Sequence, residues 1–231
     1  IFFEKERWRV LIVQLCAEVA FFSINSNLAL FMLEGWAMRP GQIGKLLTVR
    51  PVFGATVSIC VSRLLSTDKV TKLSLVRSGT CCLLVAYVMT NFLDMLPTGI
   101  LAVLMVEVQL VIQAMGHNMT TIPSNALLLS TYPKPQIATA NALQRVLTNF
   151  CTLVANTVCL SMVRAVGSES EAKSWWPVWL LYSVLSVVMV VVARAIPAHI
   201  GSYGKYQAVT PATPSATPQG VKIGIDNNQE D

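Results

Sequence analysis

Six stretches of this chain are each long and apolar enough to cross a bilayer as a helix, and that feature excludes most soluble folds. About 20 predominantly apolar residues span the hydrocarbon as a helix. The candidates run from Trp8 to about Leu33, Gly41 to Leu65, Lys72 to Asp94, Thr98 to Ser130, Gln136 to Val166 and Trp175 to Ala198. Between them lie "EGWAMRPG", "LLSTDKVTK", "LDMLPTG", "STYPKPQ" and "GSESEAKSWWP", segments whose Gly, Pro and charges end helices. Composition agrees, since only 13% of the 231 residues are charged and the mean hydropathy is +0.58. Ordinary soluble domains carry about 25% charged residues. The expected class is an all-α membrane protein with six transmembrane helices over residues 8–199. A short cytoplasmic segment at 1–7 precedes it, and a disordered cytoplasmic tail at 200–231, poor in large apolar residues, follows. Pro123 is expected to kink the long fourth span.

Orientation follows the Lys and Arg residues of the loops. With the amino terminus inside, the cytoplasmic set is Lys5, Arg7, Arg9, Arg63, Lys69, Lys72, Arg77, Lys134, Arg194, Lys205 and Lys222, against Arg39, Lys45, Arg164 and Lys173 outside. Both termini are therefore expected in the cytoplasm. The net charge of +5 is accounted for by such loops facing anionic lipid, and no nucleic-acid partner is implied. The chain opens on "IFFEKERW" without a Met or a visible signal peptide and reads as an excerpt. All six cysteines fall inside the spans as small apolar fillers, without metal-ligand spacing, so neither a disulfide framework nor a metal or other cofactor is expected. "YQAV" at Tyr206 resembles a tyrosine-based sorting signal, and Asn118-Met119-Thr120 lies in or beside a span, out of reach of glycosylation.

The polar residues inside the spans carry the functional signal. At about 100° per residue, Asn141, Arg145, Asn149, Thr152 and Asn156 form one stripe along the fifth helix. Each unsatisfied polar group in hydrocarbon costs several kcal/mol, so this stripe must meet other helices or water. Asn and Thr alone would serve as interhelical glue, whereas Arg145 favours a wet cavity. On the first helix Gln14, Glu18 and Asn25 share a face, with Glu18 near mid-depth, where a carboxylate is either protonated or paired. Glu107 on the fourth helix sits at comparable depth and shares a face with Asn118, while Gln109, Gln113 and His117 make a second stripe. His117, read as lying toward the end of its helix, is taken as hydrogen-bonded structure rather than a proton carrier. Glu18 and Glu107 occupy matching depths in helices one and four, as do Arg50 and Arg145 in helices two and five. Helix six is apolar all round and reads as lipid-facing, with its tryptophans at the interface. The pattern suggests two three-helix units, inverted because each has an odd number of crossings.

These residues resemble a known family. Six helices as two inverted triplets, with a basic loop between the second and third, look like one half of a major facilitator superfamily transporter. The loop "VSRLLSTDKVTKLSLVRSG" (Val61 to Gly79) is similar to the degenerate copy of that superfamily's cytoplasmic signature between helices 8 and 9. "NALLLSTYPKPQIATANALQRVLTNFCTLVAN" (Asn125 to Asn156) looks like the helix 10 to helix 11 region of its drug:proton antiporters, including organic cation transporter-like proteins. The signature's Gly and Asp are missing near Ser62-Arg63, and Ala155-Asn156 replaces a Gly-Pro pair, departures that suit a carboxy-terminal half.

The resemblance implies that helices one and four line a central cavity, two and five flank the missing amino-terminal half or a second copy, and three and six face lipid. It implies secondary active transport of a small organic solute, cationic or amphipathic, by alternating access, with protons as a candidate coupling ion. Glu18 and Glu107 would be proton-linked or cation-attracting, Gln14, Asn25, Gln113, Asn118 and Asn149 hydrogen-bonding wall, and Arg145 and Arg50 counter-charges or gating contacts. No enzyme is expected, since the two histidines, His117 and His199, belong to no catalytic motif. A mitochondrial carrier would need a Pro-x-Asp/Glu-x-x-Lys/Arg repeat, which is missing. The alternative is a non-transporting receptor or scaffold with a transporter-like body.

Overall fold

Proline is tolerated at the first positions of a helix because the amide it lacks has no intrahelical partner there. Pro40 opens the second helix in this way, and Gln42 Oε1 accepts the Arg39 amide at 3.1 Å across the same turn. Thr71 starts the third helix by accepting the Ser74 amide at 3.2 Å. The structure, a computed structural model, describes residues 7–67, 70–130, 132, 134–167 and 175–202. Its long elements are α1 (Arg7–Glu34), α2 (Pro40–Ser66), α3 (Lys72–Thr90), α4 (Ile100–Leu129), α5 (Ile137–Gly167) and α6 (Trp176–Arg194). Each is long and apolar enough to cross a membrane, and the regular elements among the described residues are all helical. These features fit a multi-pass integral membrane protein.

The expected spans match these helices within a few residues. α4 continues through the buried Pro123 to Leu129. The expected tail boundary at 200 moves outward, because Ala198–Ser202 form a 3-10 turn and Ile200 is buried beside Val10 and Leu73. Residues 1–6 and 203–231, including most of the expected amino-terminal segment and tail, lie outside the described residues.

α1 and α4 form the centre. α1 packs on α4, α5 and α6, α4 also packs on α2 and α3, and α3 packs on α6. One apolar cluster, including Leu28, Phe31, Tyr87, Leu110, Trp175 and Trp179, fills one end of the bundle. A second, with Val10, Leu73, Leu127 and Ile196, fills the other. The tightest crossing is α3 on α4. A Cβ on Gly116 would lie 2.8 Å from the Leu83 amide nitrogen, and one on Gly79 would lie 2.5 Å from Thr120 Oγ1. Only a hydrogen fits at either point, the close backbone approach that small residues permit between membrane helices.

Helix α6 departs from the expectation of an all-round lipid face. Trp175 and Trp179 are buried against Phe31, with ring centroids 6.0 and 5.6 Å from it, and of the three tryptophans here only Trp176 is exposed. Tyr182 accepts a hydrogen bond from Asn27 at 2.7 Å, and Ser183 accepts one from Asn91 at 2.6 Å, tying α6 to α1 and α3. The carboxyl end of α6 is bound by two arginines. Arg77 donates to the carbonyls of Ala193, Arg194 and Ile196 at 3.1–3.4 Å, and Arg9 donates to that of Ala195. These carbonyls have no intrahelical partners, and the negative end of the helix dipole favours a cation there. Arg9 and Arg77, counted from sequence only as cytoplasmic charges, thus also hold three helices together.

Two outcomes follow for thermal unfolding in detergent. Gly116→Ala should destabilise the bundle by about 1–3 kcal/mol through overpacking, while Gly44→Ala, where a Cβ meets nothing within 4 Å, should be near neutral. Arg77→Ala should cost about 1.5–3 kcal/mol, with Arg77→Lys intermediate. An unchanged melting temperature for Gly116→Ala would contradict the α3–α4 crossing.

Candidate functional site

Two clefts open beside α1, one on each side. The first, about 290 Å³, lies between α1 and α5. Gln14, Glu18 and Phe22 line it from α1, and Asn125 reaches it from the last turns of α4. α5 contributes Asn141, Gln144, Arg145, Thr148 and Asn149, the lower part of the polar stripe read from sequence. The second, about 490 Å³, lies between α1, α2 and α4. It takes Phe21 and Asn25 from α1, Arg50, Pro51 and Gly54 from α2, and His117 and Asn118 from α4.

The polar residues of α1 are therefore divided. Residues 14, 18 and 22 are successive turns of one helical ridge and turn toward α5, whereas residues 21 and 25 form the neighbouring ridge and turn toward α2. The clefts meet at one contact: Glu18 Oε2, from the first, lies 3.9 Å from His117 Nε2, from the second. The two side chains are largely shielded, with relative exposures of 22% and 11%.

An aromatic column stands next to this contact. The His117 ring stacks on Phe21 with centroids 3.5 Å apart and planes 9° from parallel. The Arg50 guanidinium lies 3.3 Å from the centroid of the same Phe21 ring. Two groups this close to one centroid cannot share a face, so Phe21 is sandwiched between a guanidinium and an imidazole. The negative π face of Phe21 attracts the cation, which makes the column a cation–π clasp joining α2, α1 and α4. Asn118 adds a hydrogen-bonded tie: its Nδ2 donates to the Ala114 carbonyl at 2.8 Å and its Oδ1 accepts from Ser58 of α2 at 2.7 Å.

Several amides around the clefts lack protein partners. Gln109 is fully buried with neither side-chain polar atom bonded, and Gln113, one turn before His117, is fully buried beside the Tyr87 hydroxyl. Gln14 Oε1, Asn125 Oδ1 and Gln144 Oε1, all from side chains lining the first cleft, are also unpartnered. Buried polar groups left this way cost about 1–3 kcal/mol each. No cluster of three His, Cys, Asp or Glu side chains that could hold a metal occurs among the described residues.

Of the residues expected from sequence, Gln14, Glu18, Arg145 and Asn149 share the first cleft, and Asn25, Arg50 and Asn118 share the second. Gln113 lies buried behind the second. Glu107 lines neither cleft and is part-buried between the exposed Leu104 and Val108. His117 is more central than its sequence position suggested, because α4 runs on for three further turns to Leu129 and places the imidazole within the bundle. Sequence reasoning also passed over Phe21, Ser58, Asn125 and Gln144. Gln144 could have been found one residue from Arg145 on the stripe, but Phe21 carries no signal in an apolar run.

The chain matches no known protein-family model, no curated protein and no solved structure. The functional reading therefore rests on the geometry of these clefts.

Removing the Phe21 ring tests the column. In Phe21→Ala, His117 should become several-fold more reactive to a histidine-selective acylating reagent, followed by peptide mass spectrometry. Unchanged reactivity would show that Phe21 does not cover the imidazole.

Proposed function

We propose that this chain is the six-helix half of a secondary active transporter, built as two inverted three-helix units of the major facilitator type. Exchanging α1 for α4, α2 for α5 and α3 for α6 turns each main packing pair into another. α2 on α4 becomes α5 on α1, and α3 on α4 becomes α6 on α1. That interchange supports the inverted repeat. α2 and α5 are also the least buried helices and carry exposed Val52, Phe53, Phe150 and Leu153, which suits helices flanking a second six-helix half or a second copy. Both termini belong in the cytoplasm on the loop charges.

The observation that carries the reading is the Glu18–His117 contact between two polar clefts. Charged groups at this depth are retained for function, since hydrocarbon offers them nothing. In the proposed cycle a small organic solute occupies the clefts near mid-bilayer while the halves rock about it. Glu18 takes up and releases the coupling proton, and His117 is its nearest exchange partner. Protonation of Glu18 removes its attraction to Arg145 across the first cleft, and its return restores it. Proton binding and cleft geometry are thereby linked.

The test is Glu18→Gln in the full-length protein reconstituted into vesicles. Uptake driven by an imposed pH gradient should fall about tenfold or more, the scale of a typical coupling free energy, while solute exchange at equal pH persists. A gradient response that survives the substitution would remove Glu18 from the mechanism.

A further inference from the structure

Resting on that transport reading, we infer that the solute is a small organic oxyanion, with Arg50 and Arg145 taking its charged group. The drug:proton antiporter resemblance points instead toward cations, so the charge at the clefts decides. Arg50 and Arg145 bring two guanidinium groups to the clefts, and among the described residues Glu18 is the only acidic side chain lining either one. Glu107, which could have balanced the count, lies elsewhere. His117 is the remaining titratable group at the junction. A site built for a cation would carry the opposite balance.

The geometry of Arg50 sharpens this. Phe21 packs against its guanidinium through the ring, a contact that uses none of the five N–H donors in a hydrogen bond. None of them bonds or ion-pairs with a described residue. The ring holds the guanidinium in place beside the 490 Å³ cleft that Arg50 lines, where its fork of donors suits the paired oxygens of a carboxylate or phosphate. Arg145, exposed along α5, likewise makes no hydrogen bond or close ion pair with a described residue, and it opens onto the other cleft. Glu18 attracts Arg145 only from across the cleft and Arg50 meets a ring rather than a carboxylate, so an entering oxyanion would supply each with a closer counter-charge.

The amides of Gln14, Asn125 and Gln144 also line the Arg145 cleft. Their oxygens are occluded, so what these side chains can offer a solute is their NH2 donors, which suit an oxyanion as the guanidinium does.

The experiment uses the full-length protein in vesicles with labelled gluconate and glucose 6-phosphate as hydroxylated anions, glucose as the neutral analogue and tetraethylammonium as the cation. Thermal stabilisation by the same compounds in detergent reports binding apart from transport. Uptake of either anion is expected, reduced about tenfold or more in Arg50→Gln and in Arg145→Gln, the scale of a charge-assisted hydrogen bond. Arg50→Lys should retain part of it and Arg164→Gln all of it. Native elution and melting of each variant separates binding loss from misfolding. Uptake of tetraethylammonium or glucose alone, indifferent to both arginine substitutions, would overturn the anion assignment while leaving transport standing. Arginine-dependent stabilisation by the anions without uptake of any compound would keep the anion site and overturn transport. The absence of both uptake and stabilisation with either anion would overturn the assignment.

Discussion

Hydrocarbon cannot hydrogen-bond, and every polar side chain in this bundle is placed under that constraint. A guanidinium, a carboxylate or an amide must find protein, water or solute, and several of these groups, though not Glu107, collect along both sides of α1. Glu18 and Arg145 share one cleft, Arg50 and Asn118 share the other, and the Glu18–His117 approach at 3.9 Å links them. The apolar clusters at the two ends of the bundle hold this polar middle in place.

Rigidity is distributed to match. α3 and α4 are joined through Gly79 and Gly116 with no room for a methyl group, and Arg9 and Arg77 fasten α6 to α1 and α3. α2 and α5 are the least buried of the six helices. Packing on α4, the Ser58–Asn118 bond and the Arg50–Phe21 clasp secure α2, and packing along α1 secures α5. These less buried helices are also those that carry Arg50 and Arg145. Movement of either would carry its guanidinium relative to the α1–α4 wall.

Much of the framework was legible in the sequence, because length and hydropathy alone specify a membrane helix and Pro, Gly and charge mark its ends. The stripe from Asn141 to Asn149 was legible for the same reason, since polar residues in an apolar run stand out at helical spacing. The inward face of α6 was not. In water the buried face is the apolar one, but here both faces are apolar, and Trp179 facing protein reads no differently from Leu180 facing outward. The division of α1 into two clefts was hidden too. Gln14, Glu18 and Asn25 lie within one broad face by periodicity, yet adjacent ridges of that face meet different helices. The matching depths of Glu18 and Glu107 fix height but not azimuth, and Glu107 falls outside both clefts. Arg77 looked like a loop charge because hydrogen bonds across 116 to 119 positions leave no local trace.

The central claim is that the two sides of α1 border water-accessible clefts rather than dry interhelical contacts. Single cysteines placed at Asn25, Asn149 and Phe150 in a cysteine-free background, challenged in intact membranes with a membrane-impermeant thiol reagent, examine it most directly. Asn25→Cys and Asn149→Cys should be labelled while Phe150→Cys, one residue on and outside the clefts, stays protected. Protection of the first two, or equal labelling of all three, would contradict it.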